Sequence, residues 1–354
     1  MRNKLLYINT TQFGYHIDSF EHCKYLKKSF DVTYLCFDYG YEKIVMSDIN
    51  ILYVDWSGSY LRKGIRFLNY CLSTVKNMKI DFSFAVYFPM VSIFKLLSFN
   101  KNVILDIRTG SVNVSNKKIW LFNSIIFIES LFFNKVTIVS QSLALKLKLN
   151  PKKVFILPLG ADEFSLKNKN YSKFHILYLG TLIGRRIHET VRGLKLFLDS
   201  SAMHGIEVTY DIFGDGRESD ADLLNSTIRE NGLDGIVMYH GRKTHSDILK
   251  YFDKCNIGVC YVPKTTYFDC QPSTKIYEYV RSGMVCIATD TSENKLLINN
   301  QNGVLCSDNP NSFSNALMEV FEMQSKWNSN EIRSTLKNNS WEAISIGLKN
   351  FILS

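Results

Sequence analysis

The stretch 271-QPSTKIYEYVRSGMVCIATD-290 indicates a loop, a short helix and then a buried strand. Ser273 and Thr274, preceded by Pro272, are typical of a helix start, where unpaired backbone N–H groups favour a phosphate. Glu278 lies four residues after Thr274 and therefore on the same face, one turn further on. There its carboxylate can accept both hydroxyls of a ribose. The stretch predicts a nucleotide site or, as the alternative, an amphipathic helix with a surface Glu.

The Pro-Ser-x-Lys-Ile-x-Glu-Tyr form of this stretch resembles the donor-nucleotide motif of GT4-type retaining glycosyltransferases of bacterial polysaccharide assembly. In that family a Glu, seven residues and a second Glu precede a small residue, a Gly and an apolar strand. Glu278 matches the second Glu, whereas Cys270, beside Asp269, takes the place of the first. The resemblance implies a ribose contact from Glu278 and leaves open what replaces the first Glu at Cys270.

The composition favours two domains in a reducing compartment. The chain has 354 residues, of which 46% are hydrophobic, and this length favours two domains over one. No apolar run has transmembrane length, and the N-terminal residues enter a strand at once instead of forming a secretion signal. The eight cysteines include no CxxC pair, which argues against a zinc site. We therefore expect a cytoplasmic protein.

Positive charge is concentrated in the first half of the chain. Residues 1–160 carry 21 Lys and Arg against 10 Asp and Glu, although the net charge of the whole chain is only +9. An excess of positive charge is typical of proteins that bind nucleic acid or anionic lipid, and it can also serve solubility alone. No nucleic-acid-binding motif is found in this half of the sequence. The very apolar segment 117–135 has Lys at both ends. It predicts either a helix that lies on the inner face of the plasma membrane or an ordinary buried helix.

Strands alternate with helices along the chain, which predicts an α/β fold class with mainly parallel sheets. A polar segment, Glu163–Lys173, interrupts this alternation and is interpreted as an interdomain linker. The resemblance implies the GT-B fold, in which two Rossmann-like domains face each other across a cleft. The predicted parts are an acceptor-binding domain at 1–162, the linker at 163–173, a nucleotide-sugar-binding domain at 174–335, and a C-terminal helix at 336–354 that returns to the first domain through Trp341.

Strand ends in the second half carry glycines and cations where the resembled family binds its donor. Arg186 falls on the position of a phosphate-binding Lys, Thr181 replaces an Arg, and Arg185 is expected to compensate. Two guanidinium groups can neutralise a diphosphate leaving group without a metal ion, and the alternative is a solvated surface. The predicted donor site comprises Gly14, Gly180, Thr181, Gly214, Gly241, Arg242, Asp269, Cys270, Pro272, Ser273, Thr274 and Glu278, with Lys275 on the sugar or the phosphates.

Two stretches of the first half are candidates for contacts with the donor or the acceptor. Gly14 stands where the family has a glycine loop that touches the phosphates, and His16 is a candidate phosphate or acceptor contact. Asp106 or Arg108, at a strand end, is a candidate for orienting the acceptor hydroxyl. The alternatives are a structural hydrogen bond for His16 and a salt-bridged strand end for Asp106. The predicted catalytic set is His16, Asp106, Arg185, Arg186, Lys275 and Glu278.

The activity that the resemblance implies is a retaining, metal-independent hexosyl transfer from a nucleotide sugar, such as a UDP- or GDP-sugar, with no cofactor. We expect a lipid-linked oligosaccharide acceptor in the synthesis of O-antigen or capsule, contact with a membrane surface through the basic first domain, and no nucleic-acid partner. The alternatives are a nucleotide-sugar 2-epimerase of the same architecture and a non-catalytic basic binding protein. An oxidoreductase is disfavoured because no GxGxxG follows the first strand.

Overall fold

A computed structural model describes residues 2–111, 115–200 and 205–354. The chain divides into two units. Unit 1 runs to Leu159 and takes in the last stretch, Trp341–Ser354, whereas unit 2 is Gly160–Ser340. In the described ranges no helix combines the length and the apolar character needed to cross a membrane.

Unit 1 contains a sheet of parallel strands, as its alternation of apolar runs and helices predicts. In the described residues these strands are β1 (Asn3–Ile8), β2 (Phe30–Asp38), β3 (Ile49–Asp55), β4 (Phe82–Val86), β5 (Val103–Ile107), β6 (Lys135–Ile138) and β7 (Val154–Ile156). Their order is β3-β2-β1-β4-β5-β6-β7, and every neighbouring pair is parallel. The order switches direction between β1 and β4. In such sheets ligands bind outside the carboxyl ends of the strands at the switch.

Helices connect the strands of unit 1. In the described residues they are α1 (Ile17–Leu26), α2 (Tyr60–Met78), α3 (Val91–Leu97), α4 (Asn116–Ser130) and α5 (Gln141–Lys146). The sequence pattern did not predict α3, because seven residues make only two turns and show little helical periodicity. Helix α3 packs beside both α2 and α4.

Unit 2 repeats this architecture with a smaller sheet. Its strands in the described residues are β8 (Phe174–Leu179), β9 (Val208–Phe213), β10 (Val237–Tyr239), β11 (Ile257–Cys260), β12 (Val285–Thr289) and β13 (Gly303–Cys306). They are parallel and lie in the order β10-β9-β8-β11-β12-β13. The switch therefore lies between β8 and β11, which makes the loops after these two strands the expected ligand site of unit 2.

Helices and one polar segment complete unit 2. The helices in the described residues are α6 (His188–Leu198), α7 (Glu218–Glu230), α8 (His245–Lys254), α9 (Thr274–Arg281), α10 (Asn294–Leu297), α11 (Pro310–Glu322) and α12 (Ser329–Thr335). The polar segment 163–173 lies against the end of α9, where Phe164 N donates to Ser282 Oγ at 3.2 Å and Arg281 pairs with Glu163 at 3.0 Å.

The last helix, α13 (Trp341–Leu353), belongs to unit 1. It packs beside α1, and its residues Ile344 and Leu348 are buried in one cluster with Tyr7 of β1. Trp341 is buried at the start of the helix, with its ring centroid 6.0 Å from that of His22. Because its apolar side chains are buried in this cluster, α13 forms part of the core of unit 1.

Candidate functional site

The start of α9 in unit 2 has the geometry of a helix N-terminus that can receive an anion. Ser273 is the N-cap residue, with extended backbone, and its hydroxyl accepts from Lys275 N at 3.3 Å. Pro272 lies just before the cap, where its lack of an N–H costs nothing. The helix follows β11, one of the two strands at the switch. The first turn of α9 is therefore placed where a phosphate can bind its N–H groups.

Glu278 lies one turn further along α9 and is buried, with 6% of its surface exposed. Lys275 Nζ donates to Glu278 Oε2 at 2.6 Å. The alternative of an amphipathic helix with a surface Glu is therefore wrong. The sequence analysis missed the pair, although its i, i+3 spacing could have indicated it. A nucleoside hydroxyl that binds this carboxylate shares it with the Lys275 ammonium.

Arg185, in the loop after β8, lies beside the chain segment that leads into α9. Its guanidinium carbon is 4.3 Å from the centroid of the Phe268 ring, and no carboxylate of the described chain pairs with it. Burial raises the pKa of the Cys260 thiol, at the end of β11, and Ser273, Arg185 and Lys275 all oppose that rise. A hydroxyl and two cations therefore surround the end of β11, at the switch.

Arg186 has different surroundings from Arg185. Its backbone is left-handed, with φ of 55°. Its guanidinium lies 3.6 Å from Glu189 and 3.6 Å from Asp308. The two adjacent guanidinium groups therefore have different partners, since carboxylates pair with Arg186 and an aromatic ring lies against Arg185.

Glycine turns end β8, β9 and β10 and lie directly against one another. Gly180 N donates to Phe213 O at 3.1 Å, and Gly214 N donates to Gly241 O at 3.0 Å. Gly214 has φ of 148°, and a Cβ there would lie 1.7 Å from Gly180 O. No other residue fits this position. The glycine at 214 therefore has a packing cause, whether or not it contacts a donor.

Thr181 and Arg242 both bind Asp215, in the turn after β9. Thr181 Oγ1 donates to Asp215 O at 3.1 Å, and the Arg242 guanidinium lies 3.3 Å from the Asp215 carboxylate. The Arg242 side chain is 82% exposed. Both predicted donor residues thus lie at the strand ends of unit 2, with Arg242 mostly in solvent.

Asp269 and Cys270 have local partners. The two Asp269 carboxylate oxygens accept from Ser292 N at 2.9 Å and from Ser292 Oγ at 2.7 Å, and these bonds lower the pKa of Asp269. Cys270 is buried, with its sulfur 3.5 Å from Thr266 O. The Asp269 carboxylate therefore anchors the loop before α10.

Gly14 and His16, in unit 1, have structural roles. Gly14 has φ of 90°, and a Cβ there would lie 2.3 Å from the side chain of Ile44, which covers this turn. His16 is the N-cap of α1, where Nδ1 accepts from Ser19 N at 3.3 Å. Burial lowers the pKa of His16, so the ring is neutral and suited to accepting. The structure thus contains the structural hydrogen bond that we considered for His16.

Asp106 and Arg108 were candidates for orienting the acceptor, and the structure contradicts a direct contact. Asp106 is 0% exposed and accepts from Thr137 Oγ1 at 2.7 Å, and Arg108 is buried. Arg108 Nε donates to Asp18 at 2.9 Å and NH1 donates to Leu157 O at 2.9 Å. Helix α1 brings Asp18 over the strand end, which the sequence could not show. The salt-bridged strand end is therefore the correct alternative.

The surroundings of Asp106 also change its ionisation. Burial raises its pKa to about 6, although Arg108 and Thr137 act in the opposite direction. Among the described residues, Asp106 Oδ2 has no hydrogen-bond partner. Burial likewise lowers the pKa of His22 to about 3. Unit 1 thus contains a polar cluster beneath α1 that holds its charges away from solvent.

Comparisons with known proteins agree with this geometry. Residues 173–323 match the family model of glycosyl transferases group 1, whereas no curated protein matches the chain. Sucrose-phosphate synthase from Thermosynechococcus elongatus superposes with a TM-score of 0.74 at 13% identity, over 99% of this chain and 98% of that one. Alr3699/HepE from Anabaena, in complex with UDP and glucose, gives a TM-score of 0.74 at 12% identity over 100% of both chains. The fold is GT-B.

A third similar structure is the lipopolysaccharide outer core galactosyltransferase WaaB, with a TM-score of 0.72 at 14% identity over 99% of both chains. The predicted GT-B fold class is thus confirmed. Residues 173–323, the part of the chain that matches the glycosyl transferases group 1 model, include the loop after β8 and helix α9.

Unit 1 of this GT-B chain holds a pocket that the sequence analysis missed. Its volume is about 430 Å³, and its walls come from α2 and the segments after β1 to β4. The signal that could have found it is the aromatic residues at or just after the ends of three predicted strands, Tyr39, Trp56 and Tyr87. The residues that line it are Thr10, Phe37, Tyr39, Trp56, Tyr60, Leu61, Lys63, Gly64, Phe67, Tyr87, Phe88, Pro89 and Met90.

Proposed function

We propose that the protein transfers a sugar from a nucleotide-sugar donor, such as a UDP- or GDP-sugar, to a saccharide acceptor. One observation carries this proposal. A Ser-capped helix with a buried Glu278 one turn from its start lies at the switch of a unit that matches glycosyl transferases group 1. The complex of HepE with UDP and glucose supports a nucleotide donor.

The donor binds in unit 2 with its parts separated along α9. The diphosphate lies at the first turn, where Ser273 and Thr274 offer backbone N–H groups and Arg185 offers a guanidinium. The ribose hydroxyls donate to Glu278, and Lys275 compensates the buried charge of that carboxylate at 2.6 Å. Burial of Glu278 strengthens these hydrogen bonds because little water competes for the carboxylate.

The reaction follows from the charge that develops on the leaving diphosphate. As the bond between the anomeric carbon and the phosphate oxygen breaks, Arg185 and Lys275 stabilise the negative charge of the nucleoside diphosphate. The acceptor hydroxyl attacks from the same face, so the anomeric configuration is retained, and its proton passes to an oxygen of the leaving phosphate. This scheme assigns to side-chain cations the role that a metal ion has in other transferases.

The acceptor is proposed to be lipid-linked, as in the synthesis of O-antigen or capsule on the cytoplasmic side of the plasma membrane. The description of WaaB as a lipopolysaccharide galactosyltransferase supports a cell-surface saccharide. Helix α4 supports membrane contact, because Trp120 is 71% exposed and Phe122 is 49% exposed. The exposed Lys117 and Lys118 precede them, which suits an anionic bilayer.

The variant Glu278→Ala tests the donor site. We expect it to weaken the binding of UDP and of uridine about 10- to 100-fold, because a charged acceptor of two ribose hydroxyls is lost. The affinity for inorganic pyrophosphate should change little, since the first turn of α9 and Arg185 remain. Isothermal titration calorimetry measures the affinity of the protein for each of the three ligands.

The matched control is Glu230→Ala, at the exposed end of α7, which should leave the binding of all three ligands intact. Uridine and UDP affinities that stay at the wild-type value in a folded Glu278→Ala protein would remove the ribose assignment. A panel of GDP, ADP and UDP with the wild-type protein identifies the base.

A further inference from the structure

We propose that the aromatic pocket of unit 1 binds a sugar ring of the acceptor saccharide, an assignment of the acceptor that rests on the proposed transfer function. The pocket lies entirely in unit 1, where its lining follows the carboxyl ends of β1 to β4. The switch between β1 and β4 is the expected ligand position in this sheet. Its volume of about 430 Å³ is in the range of small-molecule sites.

The pocket has a buried aromatic base and partly exposed aromatic walls. Phe37, Phe67 and Phe88 are buried, and the Phe37 and Phe67 ring centroids are 4.5 Å apart. The Trp56 ring packs against Phe37 at 4.6 Å and thereby rests on this base. Because the base belongs to the core, the rings above it are held in place before a ligand arrives.

The walls carry polar groups at their edges. Tyr39 packs against Trp56, with ring centroids 4.7 Å apart, and Lys63 Nζ lies 3.8 Å from the centroid of Trp56. Tyr60, on α2, is 74% exposed, and Tyr87 follows β4. Aromatic rings, some with phenol hydroxyls, and one ammonium that lies over the face of Trp56 therefore surround the space.

This combination fits a pyranose ring better than a lipid chain or a cation. A pyranose has faces of C–H groups that pack on aromatic rings, and hydroxyls around its edge that need hydrogen-bond partners. The hydroxyls of Tyr39 and Tyr60 and the Lys63 ammonium meet that second need, whereas an alkyl chain would satisfy none of them. The Lys63 ammonium already lies over the Trp56 ring, and its charge disfavours a second cation in the pocket.

The test is direct binding of simple sugars to the full chain, with no donor present. Saturation-transfer NMR measures the binding of the methyl glycosides of glucose, galactose, mannose and N-acetylglucosamine. Farnesol serves as an apolar probe. We expect at least one glycoside to bind and its affinity to fall about tenfold in Trp56→Ala and in Tyr60→Ala. Trp56→Phe, which keeps a ring, should retain most of the binding.

The matched control is Tyr70→Ala, an exposed aromatic on the same helix α2 that does not line the pocket. Tyr60 is mostly exposed, so its variant keeps the core intact even if Trp56→Ala fails to fold. Binding of farnesol without any glycoside, binding of neither, or glycoside binding that both variants leave unchanged would each overturn the proposal.

The donor experiment separates this proposal from the transfer function. If UDP does not bind but a glycoside binds and is lost in Tyr60→Ala, the saccharide site stands and the transfer function fails. If Glu278→Ala weakens UDP binding while the pocket variants leave glycosides unaffected, the pocket assignment alone fails. In a transfer assay the pocket variants should raise the KM for the acceptor and leave the KM for the donor unchanged.

Discussion

Units 1 and 2 share a sheet topology and differ in what lies at the carboxyl ends of their strands. In each unit the first strand neighbours the fourth, so β1 lies beside β4 and β8 beside β11. At this switch unit 2 has a helix start, the hydroxyl of Ser273 and the cations Arg185 and Lys275, whereas unit 1 has a pocket of aromatic rings. The topology thus fixes where a ligand binds, and the loop residues decide which ligand it is.

Charged side chains near the strand ends also have different surroundings in the two units. In unit 1 the Arg108 guanidinium is buried against Asp18, and Asp106 lies beneath it with no exposed surface. In unit 2 an aromatic ring, not a carboxylate, supports Arg185, so its charge remains available to a ligand.

Of the variants that test this difference between the units, removal of both cations after β8 should have the largest effect on activity. We expect Arg185→Ala with Arg186→Ala to lower kcat/KM for transfer about 1,000-fold, because the charge on the leaving diphosphate loses its stabilisation. Arg185→Ala alone should account for most of the loss, since two carboxylates already hold Arg186. Steady-state kinetics with a UDP- or GDP-sugar measures each variant.

The control for the arginine variants is Arg229→Ala, in the last turn of α7 and exposed, for which we expect wild-type rates. Wild-type turnover in the double variant would show that unit 2 does not stabilise the leaving group with these residues. Equal losses from the two single variants would show that Arg186 leaves its carboxylates when the donor binds.

The sequence predicted the sheets well because their strands are short apolar runs separated by polar turns. The apolar run 30–37, for example, predicts a strand, and the strand Phe30–Asp38 is found there. It also located Ser273 and Glu278, because a cap and a carboxylate one turn later are a local pattern. The pocket was missed because Thr10, Trp56 and Tyr87 are far apart in sequence, and only the strand order brings them together.

For two buried residues of unit 1 the sequence wrongly predicted a contact with a ligand. A strand end predicted that Asp106 and Arg108 reach a ligand, but α1 covers them with Asp18. Nothing local in a sequence says which helix lies over which strand end. Packing therefore decides whether a charged residue at a strand end serves function or structure.

Removing exposed apolar side chains from α4, in unit 1, should have an effect of intermediate size, on membrane binding. We expect Trp120→Ala with Phe122→Ala to lower binding to vesicles of phosphatidylglycerol and phosphatidylcholine about 10- to 100-fold, because two large side chains no longer enter the interface. Sedimentation of the protein with the vesicles measures the binding. Leu223→Ala, an exposed apolar residue on α7 of unit 2, is the control.

Vesicle binding that the α4 variants leave unchanged would refute membrane contact through this helix. Equal binding of the wild-type protein to vesicles of phosphatidylcholine alone and to vesicles that contain phosphatidylglycerol would show that Lys117 and Lys118 add nothing to the interaction.

The smallest effect is expected from the buried carboxylate that distinguishes the strand ends of unit 1. Burial raises the pKa of Asp106 from its ordinary value of 3.8 to about 6, so the folded state binds this proton more tightly than the unfolded state. The stabilising contribution of Asp106 is therefore present below pH 4 and is lost as the pH rises to about 6. Asp106→Asn, which cannot ionise, keeps its stability over this range.

The difference between Asp106→Asn and the wild type is therefore expected to grow with pH. The two proteins should have similar free energies of unfolding near pH 4, and the variant should be more stable by about 2 kcal/mol at pH 7.5. Urea unfolding at both pH values measures it, with Asp31→Asn on the exposed side of β2 as the control. His22, whose lowered pKa makes stability rise with pH, is present in both proteins and cancels in the difference. A difference that stays constant with pH would show that Arg108 holds Asp106 ionised in the fold.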